Sequence, residues 1–257
     1  MEICEQSEAF VEKDGDLVFE HTKIILRRQE DEYFYATTEQ RLSTSSKIDV
    51  NSLHLINIPT DNIWPTFDTK LTRAPDPLPP NSYVKQPSFL YYDDAVASSE
   101  LSGLLLNEAE VCETLRRHPH PNIARYLGCI VKDGRIRGLC FVKYSMTLPQ
   151  RLKHAPSFDK GLCLQGIARG VTHLHELGLI HNDLNPSNIM MDGDNPVIID
   201  FDSCKREQER LGPKAGTEGW EIEGSGFARR ENDIYGLSKI REYLIGSEGN
   251  GDNLRST

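Results

Sequence analysis

Hydrophobic and polar positions change their rhythm partway along the chain. In KIILRRQEDEYFYATT (Lys23 to Thr38), β-formers lie on either side of a polar turn at Gln29–Glu32, the pattern of a hairpin. LHLINIP (Leu53 to Pro59) reads as another short strand. The proline-rich PDPLPP at 75–80 can continue neither a helix nor a central strand, so it reads as a connector. SYVKQPSFLYY, from Ser82, is the next strand candidate. In ASSELSGLLLNEAEVCETLRR, Leu101, Leu104, Leu105, Val111 and Leu115 recur at helical spacing. NIARYLGCIVKDGRIRGLCFVKY (Asn122 to Tyr144) predicts two strands around a turn at Lys132–Arg137. Beyond it LPQRLKH begins a helix, and DKGLCLQGIARGVTHLHELG (Asp159 to Gly178) predicts an amphipathic one ending at a C-capping glycine. VIIDF (Val197 to Phe201) reads as a short buried strand, and RRENDIYGLSKIREYLIG (Arg229 to Gly246) as a last helix. Strands with one helix come first and helices dominate afterwards, an α+β order.

Charge narrows the partners. The 257 residues carry a net charge of −10 with pI near 5.3, which disfavours nucleic acid or an anionic membrane as the main partner. No apolar run approaches the roughly 20 residues of a membrane span. The N-terminal MEICEQSEAFVEKDGD is acidic and lacks an apolar core, so the protein is expected to be cytoplasmic or nuclear and not secreted. Six scattered cysteines without a C-x-x-C pair are expected to be reduced thiols, not zinc ligands.

The chemistry concentrates in LIHNDLNPSNIMMDGDNPVIIDFDS (Leu179 to Ser203). Asp183 stands in a polar loop, Asn188 follows five residues later, and Asp200 comes after a run of β-formers. A phosphoryl-transfer site needs a carboxylate beside the attacking hydroxyl and oxygen ligands for Mg²⁺. One carboxylate and one carboxamide are enough, because Mg²⁺ keeps several waters.

HNDLNPSN resembles the catalytic-loop pattern HRDLKPEN of eukaryotic protein kinases, and IIDFDS resembles the strand that carries DFG. YVKQP places Lys85 at the strand lysine, and LLLNEAEVCETL places Glu108 at the helix glutamate that holds it, in competition with Glu110 and Glu113. HPHPNIARYLG, AGTEGW (Ala215 to Trp220) and NDIYGLSKI resemble further family segments, over about residues 80 to 245. The resemblance implies Asp183 as catalytic base and Asn188 and Asp200 as Mg²⁺ ligands, with Lys85 clamping the phosphates of ATP. It makes Val142 the gatekeeper and Lys143, Tyr144 and Ser145 the hinge that offers backbone groups to adenine. Asp233 would brace the catalytic loop, while His173 and His175 read as surface or packing residues.

Several positions depart from that pattern. No glycine occurs between Gly15 and Gly103, so the Gly-rich phosphate loop is missing, and either another stretch, such as DNIWPTF (Asp61 to Phe67), covers the phosphates or they stay partly open. Asn182 replaces the loop arginine, Asn185 replaces the loop lysine at a catalytic position, and Asp202 replaces the glycine of DFG. The expected fold is therefore bilobal and protein-kinase-like: a β-rich N-terminal extension (1–57), an N-lobe with hinge (58–145) and a shortened helical C-lobe (146–257). The expected function is ATP- and Mg²⁺-dependent transfer to a Ser or Thr hydroxyl of a protein. Two alternatives stand beside it: a pseudokinase acting as a nucleotide-binding or scaffold module, and a small-molecule kinase of the aminoglycoside or choline type.

Overall fold

The computed structural model describes residues 1–246 except 14, 30–31, 43–47, 60–62, 91, 93–96, 155 and 213–215. The chain packs as two compact units, one of residues 1–66 with 86–103 and one of residues 67–85 with 104–257.

The first unit is built on an antiparallel sheet in the order β1 (Glu2–Lys13), β2 (Asp16–Gln29), β3 (Glu32–Thr38) and β4 (Ile56–Ile58). Ile24, Leu26 and Ala36 pack on one face with Leu53 and Leu55, while Ile25 and Tyr35 face the other way. On that second face Tyr33 stacks on Phe89 at 4.5 Å between ring centroids and meets Trp64 edge-on at 5.9 Å. Both faces are covered, which explains why Ile24, Ile25 and Leu26 form an unbroken apolar run. The pattern of Met1 to Asp16 predicted no element, yet β1 pairs with β2 from Glu2↔Arg27 to Lys13↔Asp16. As an edge strand largely open to solvent it needs no apolar alternation; its register comes from β2 and from contacts such as Arg41 with Glu8 at 3.0 Å.

The DNIWPTF stretch, the candidate phosphate cover, falls partly outside the described residues and partly in each of the two units. Asp61 and Asn62 lie outside the described residues, Ile63 and Trp64 are buried in the first unit, and Phe67 packs into the core of the second.

In the second unit β5 (Ser82–Lys85), β7 (Arg135–Val142) and β6 (Tyr126–Lys132) form a sheet in that order, so the strand bearing Lys85 is an edge. Thr72 and Ala74 exchange backbone hydrogen bonds with Cys129 at the opposite edge. Only glycine fits at 128: its φ is +136°, and a Cβ there would lie 2.5 Å from the Ala74 nitrogen. Helix α1 (Ala97–Arg117) buries Leu105, Ala109, Cys112 and Leu115 in this unit's core.

The rest of the unit holds β8 (Met146–Thr147), α2 (Leu148–Leu152), α3 (Lys160–Glu176), β9 (Leu179–Ile180), β10 (Ile189–Asp192), β11 (Asn195–Ile198), β12 (Lys205–Arg206) and α4 (Arg230–Gly246). A capping box between Thr147 and Gln150 starts α2, and Asp159 caps α3. β10 and β11 form the hairpin that separates Asn188 from Asp200. Helix α4 approaches the loop between β9 and β10 closely at Gly236, where a Cβ would lie 2.5 Å from the Leu184 carbonyl oxygen. Phe201 is fully buried in the same core, a burial that contributes about 3 kcal/mol.

Candidate active site

Lys85 ends β5 and reaches three carboxylates. Its Nζ donates to Glu108 Oε1 and Oε2 at 2.7 and 2.8 Å and to Asp200 Oδ1 at 2.5 Å, with Asp202 Oδ2 at 3.8 Å. Helical spacing turns Glu108 inward with Leu105 and Cys112, and it is only 3% exposed. Its two competitors are placed otherwise: Glu110 is exposed, and Glu113 accepts from Thr72 and Arg116. Burial pushes the Lys85 pKa down, but Glu108, Asp200 and Asp202 outweigh that and raise it, so the ammonium stays charged. Burial raises the Glu108 pKa; Lys85 opposes the rise, and Asp200 and Asp202 add to it. Three carboxylates around one ammonium make a site that attracts further cations.

The loop between β9 and β10 is braced from α4. Asp233, fully buried, accepts from the backbone nitrogens of His181 and Asn182 at 2.9 and 2.8 Å and meets His175 Nε2 at 2.8 Å. His175 is therefore part of the brace and not a surface residue. His181 Nδ1 accepts from the Asp183 backbone nitrogen, which leaves Nε2 to donate to the Ile199 carbonyl at 3.0 Å. That pattern is the neutral imidazole with its proton on Nε2.

Asp183 is held by three side chains. Oδ1 accepts from Asn185 Nδ2 at 3.0 Å and from the Thr217 hydroxyl at 2.7 Å, and Oδ2 accepts from Asn188 Nδ2 at 3.0 Å. Both N–H groups of Asn188 go to Asp183, so its Oδ1 takes no hydrogen bond among the described residues. The Asn188 carbonyl accepts from the Ile199 nitrogen at 3.0 Å, which sets Asn188 beside Asp200. Asn185 also caps the 3₁₀ turn Pro186–Asn188 through its Oδ1. Asp200 has φ +67°, a left-handed conformation that Asp tolerates better than most residues.

A cavity of ≈390 Å³ opens beside Lys85 and Asp200. Its apolar walls are Tyr83, Ala124, Phe141, Val142, Met190 and Ile199, with Lys143 and Tyr144 at the rim. Strand alternation bears on the gatekeeper assignment. Tyr83↔Phe141 and Lys85↔Leu139 are register partners, so Phe141 shares the Lys85 face, and Val142, the last residue of β7, also lines the cavity. Ser145 is exposed and does not line the cavity. The Lys143 nitrogen donates to the Asn81 carbonyl, whereas the Tyr144 N–H has no partner among the described residues.

The donor set fits a nucleotide with Mg²⁺. One end of the cavity is apolar, and Tyr144, whose N–H has no partner among the described residues, lines it. The other end carries the Lys85 ammonium and the partly exposed Asp200 carboxylate, and the Asn188 oxygen lies beside Asp200 through the Ile199–Asn188 backbone bond. Sequence spacing had indicated Asp183, Asn188 and Asp200; it missed the contact of Thr217 with Asp183 and the cavity walls at Tyr83, Phe141, Met190 and Ile199. For Thr217 the available signal was AGTEGW itself.

Comparison with known proteins agrees. The protein kinase domain matches residues 93–221, half of the chain. The chain is 28% identical over 138 residues to the human serine/threonine-protein kinase/endoribonuclease IRE2, covering 47% of this chain and 14% of that protein. It is 27% identical over 158 residues to the serine/threonine-protein kinase/endoribonuclease IRE1 of Hypocrea jecorina, covering 53% and 12%. Identity is 28% over 172 residues to a G-type lectin S-receptor-like serine/threonine-protein kinase of Arabidopsis thaliana, covering 58% and 20%. The chain thus spans a fifth or less of the length of these relatives. No helix among the described residues is long and apolar enough to cross a membrane. With its β-rich first half and four α-helices among the described residues, the chain belongs to the protein kinase family and has its α+β fold.

Proposed function

We propose that the chain is an ATP- and Mg²⁺-dependent kinase that phosphorylates a Ser or Thr hydroxyl of a protein. The observation that carries this reading is a convergence: the Lys85–Glu108–Asp200 cluster and the Asp183–Asn188 pair meet through the Ile199–Asn188 backbone bond. Bound ATP supplies the phosphoryl group, and Mg²⁺ neutralises its charge. Lys85, kept in place by Glu108, clamps the phosphates, and Asp200 and the Asn188 oxygen hold the metal. Val142, Lys143 and Tyr144 receive the base. Asp183 orients the acceptor hydroxyl and takes its proton, the role general bases play for about 10²–10⁴-fold in rate. Asn185 steadies the Asp183 carboxylate. A hydroxyl already reaches that carboxylate from Thr217, which supports a hydroxyl acceptor. The GTEGW stretch and the similarity to serine/threonine-protein kinases favour protein over small-molecule substrates.

A second reading, a nucleotide-binding or scaffold module without turnover, is favoured by one feature. Among the described residues β5 is an edge strand with no glycine-rich strand paired beside Lys85.

Thermal unfolding with ATP, with and without Mg²⁺, tests the proposal on the wild type and on Asp200→Ala. Binding at 100 times Kd stabilises by about 2.7 kcal/mol. The expected result is a Mg²⁺-dependent shift that Asp200→Ala loses, together with label transfer from γ-labelled ATP to a generic protein and not to choline or an aminoglycoside. A shift without transfer supports the module, and no shift at millimolar ATP removes the kinase reading.

A further inference from the structure

We propose that three carboxamides, Asn107, Asn182 and Asn232, form an uncharged latch that docks the segment after Asp202 onto the catalytic loop without phosphorylation. The inference deepens the kinase reading and rests on it for the meaning of the docked state. Its structural content stands on hydrogen bonds alone.

Asn182 is buried, with φ +64°. Its two N–H groups donate to the carbonyls of Ile180 at 3.1 Å and Ser203 at 3.0 Å, and its oxygen accepts from Asn232 Nδ2 at 3.0 Å. The second N–H of Asn232 goes to the Phe227 carbonyl at 3.0 Å, and its oxygen accepts from the Ser225 hydroxyl at 3.1 Å. Asn107, on α1, donates to the Cys204 carbonyl at 2.9 Å and accepts from Lys205 Nζ at 3.2 Å. One end of the segment is thus tied to α1 and to the loop, and the other to α4. Each tie neighbours a residue of the site in sequence: Asn107 precedes Glu108, Asn182 precedes Asp183, and Asn232 precedes Asp233.

The Asn182–Asn232 pair, with Asn182 buried and Asn232 partly so, satisfies its groups without desolvating a charge and needs no counter-charge. The hydroxyls of the segment point the same way. Residues 203–228 contain three, on Ser203, Thr217 and Ser225. They donate to Asp202 Oδ1, Asp183 Oδ1 and Asn232 Oδ1, respectively. A phosphate on any of them would displace a latch bond or face a carboxylate, so modification here undocks the segment instead of ordering it.

Hydrogen exchange on the full chain, with complete dephosphorylation checked by intact mass, tests the latch. Protection of 203–212 and 216–228 is expected to be the same before and after phosphatase. Asn182→Gly, which tolerates the backbone angle, and Asn232→Ala should each speed exchange there about tenfold. The double variant should cost less than the sum of the two single effects, because the Asn182–Asn232 bond is lost in both. Helix α3 serves as the internal control. Should Asn182→Gly also unprotect α3, then Asn232→Asp, of the same shape but without the N–H, decides by the same criterion. An unprotected segment in dephosphorylated wild type, or unchanged exchange in the variants, overturns the proposal. The ATP shift of the same sample separates the two readings. A protected segment without a shift sinks the kinase reading alone, and a shift with an unprotected segment sinks the latch alone.

Discussion

Two regions of the second unit treat charge in opposite ways. Around Lys85 the groups are ionisable: an ammonium among the carboxyls of Glu108, Asp200 and Asp202, at distances of 2.5–3.8 Å. Around the catalytic loop, where the family pattern has Arg and Lys, carboxamides stand instead, at Asn182 and Asn185, and each is fully engaged in hydrogen bonds. The difference follows from what each region handles. A metal–phosphate centre needs full charges, because only they offset the charge of the ligand in a partly buried site. Holding one stretch of polypeptide against another needs only matched donors and acceptors, which a carboxamide supplies without the desolvation cost of a buried cation.

The comparison can be broken at its charged end first. Asp183→Ala should lower phosphotransfer by about 10³-fold while leaving the Mg²⁺-dependent ATP shift in place, read by initial rates and thermal unfolding. An equal loss of binding would mean that Asp183 belongs to the metal–phosphate half.

Lys85→Met should come next in size. It strands Glu108 in the core and should cost about 3 kcal/mol in urea unfolding at pH 8. The Glu108 pKa is raised in the folded state, so the stability it allows is full below its unfolded pKa and is lost as pH rises through the folded value. The defect of Lys85→Met should therefore shrink at pH 5. A pH-independent defect would show that lost packing and not charge is responsible.

On the carboxamide side, Asn185→Ala removes a cap and one of the bonds to Asp183. It should cost about 1 kcal/mol of stability, unchanged between 0.05 and 1 M NaCl. A strong salt dependence would contradict a neutral role. The smallest effect is expected from Asp202→Gly, about threefold weaker Mg²⁺-dependent ATP binding by titration, because its carboxylate is the farthest of the three from Lys85. Tighter binding would recast Asp202 as a charge that repels the phosphates.

Much of the site could be read without coordinates, since Asp183, Asn188 and Asp200 lie within one loop, one turn and one hairpin. Local spacing alone sets those three. Glu108 could be narrowed to three candidates, and the inward face of α1 chose among them. Thr217 is 34 residues from Asp183 and pairs with it only because the segment folds back. Asn182 looked like a lost arginine; its role depends on Asn232 and on the Ser203 carbonyl, neither within twenty residues of it. β1 was invisible because an exposed edge strand carries no apolar rhythm, and its register is imposed by β2.

The sequence by itself determined the order of elements, the acidic character and the three polar residues nearest the chemistry, because each depends on periodicity, composition or short spacing. Only the tertiary structure decided which glutamate meets Lys85, which residues of β7 line the cavity and what replaced the missing cations. Those depend on strand register and on contacts between residues distant in the chain, which no local pattern records.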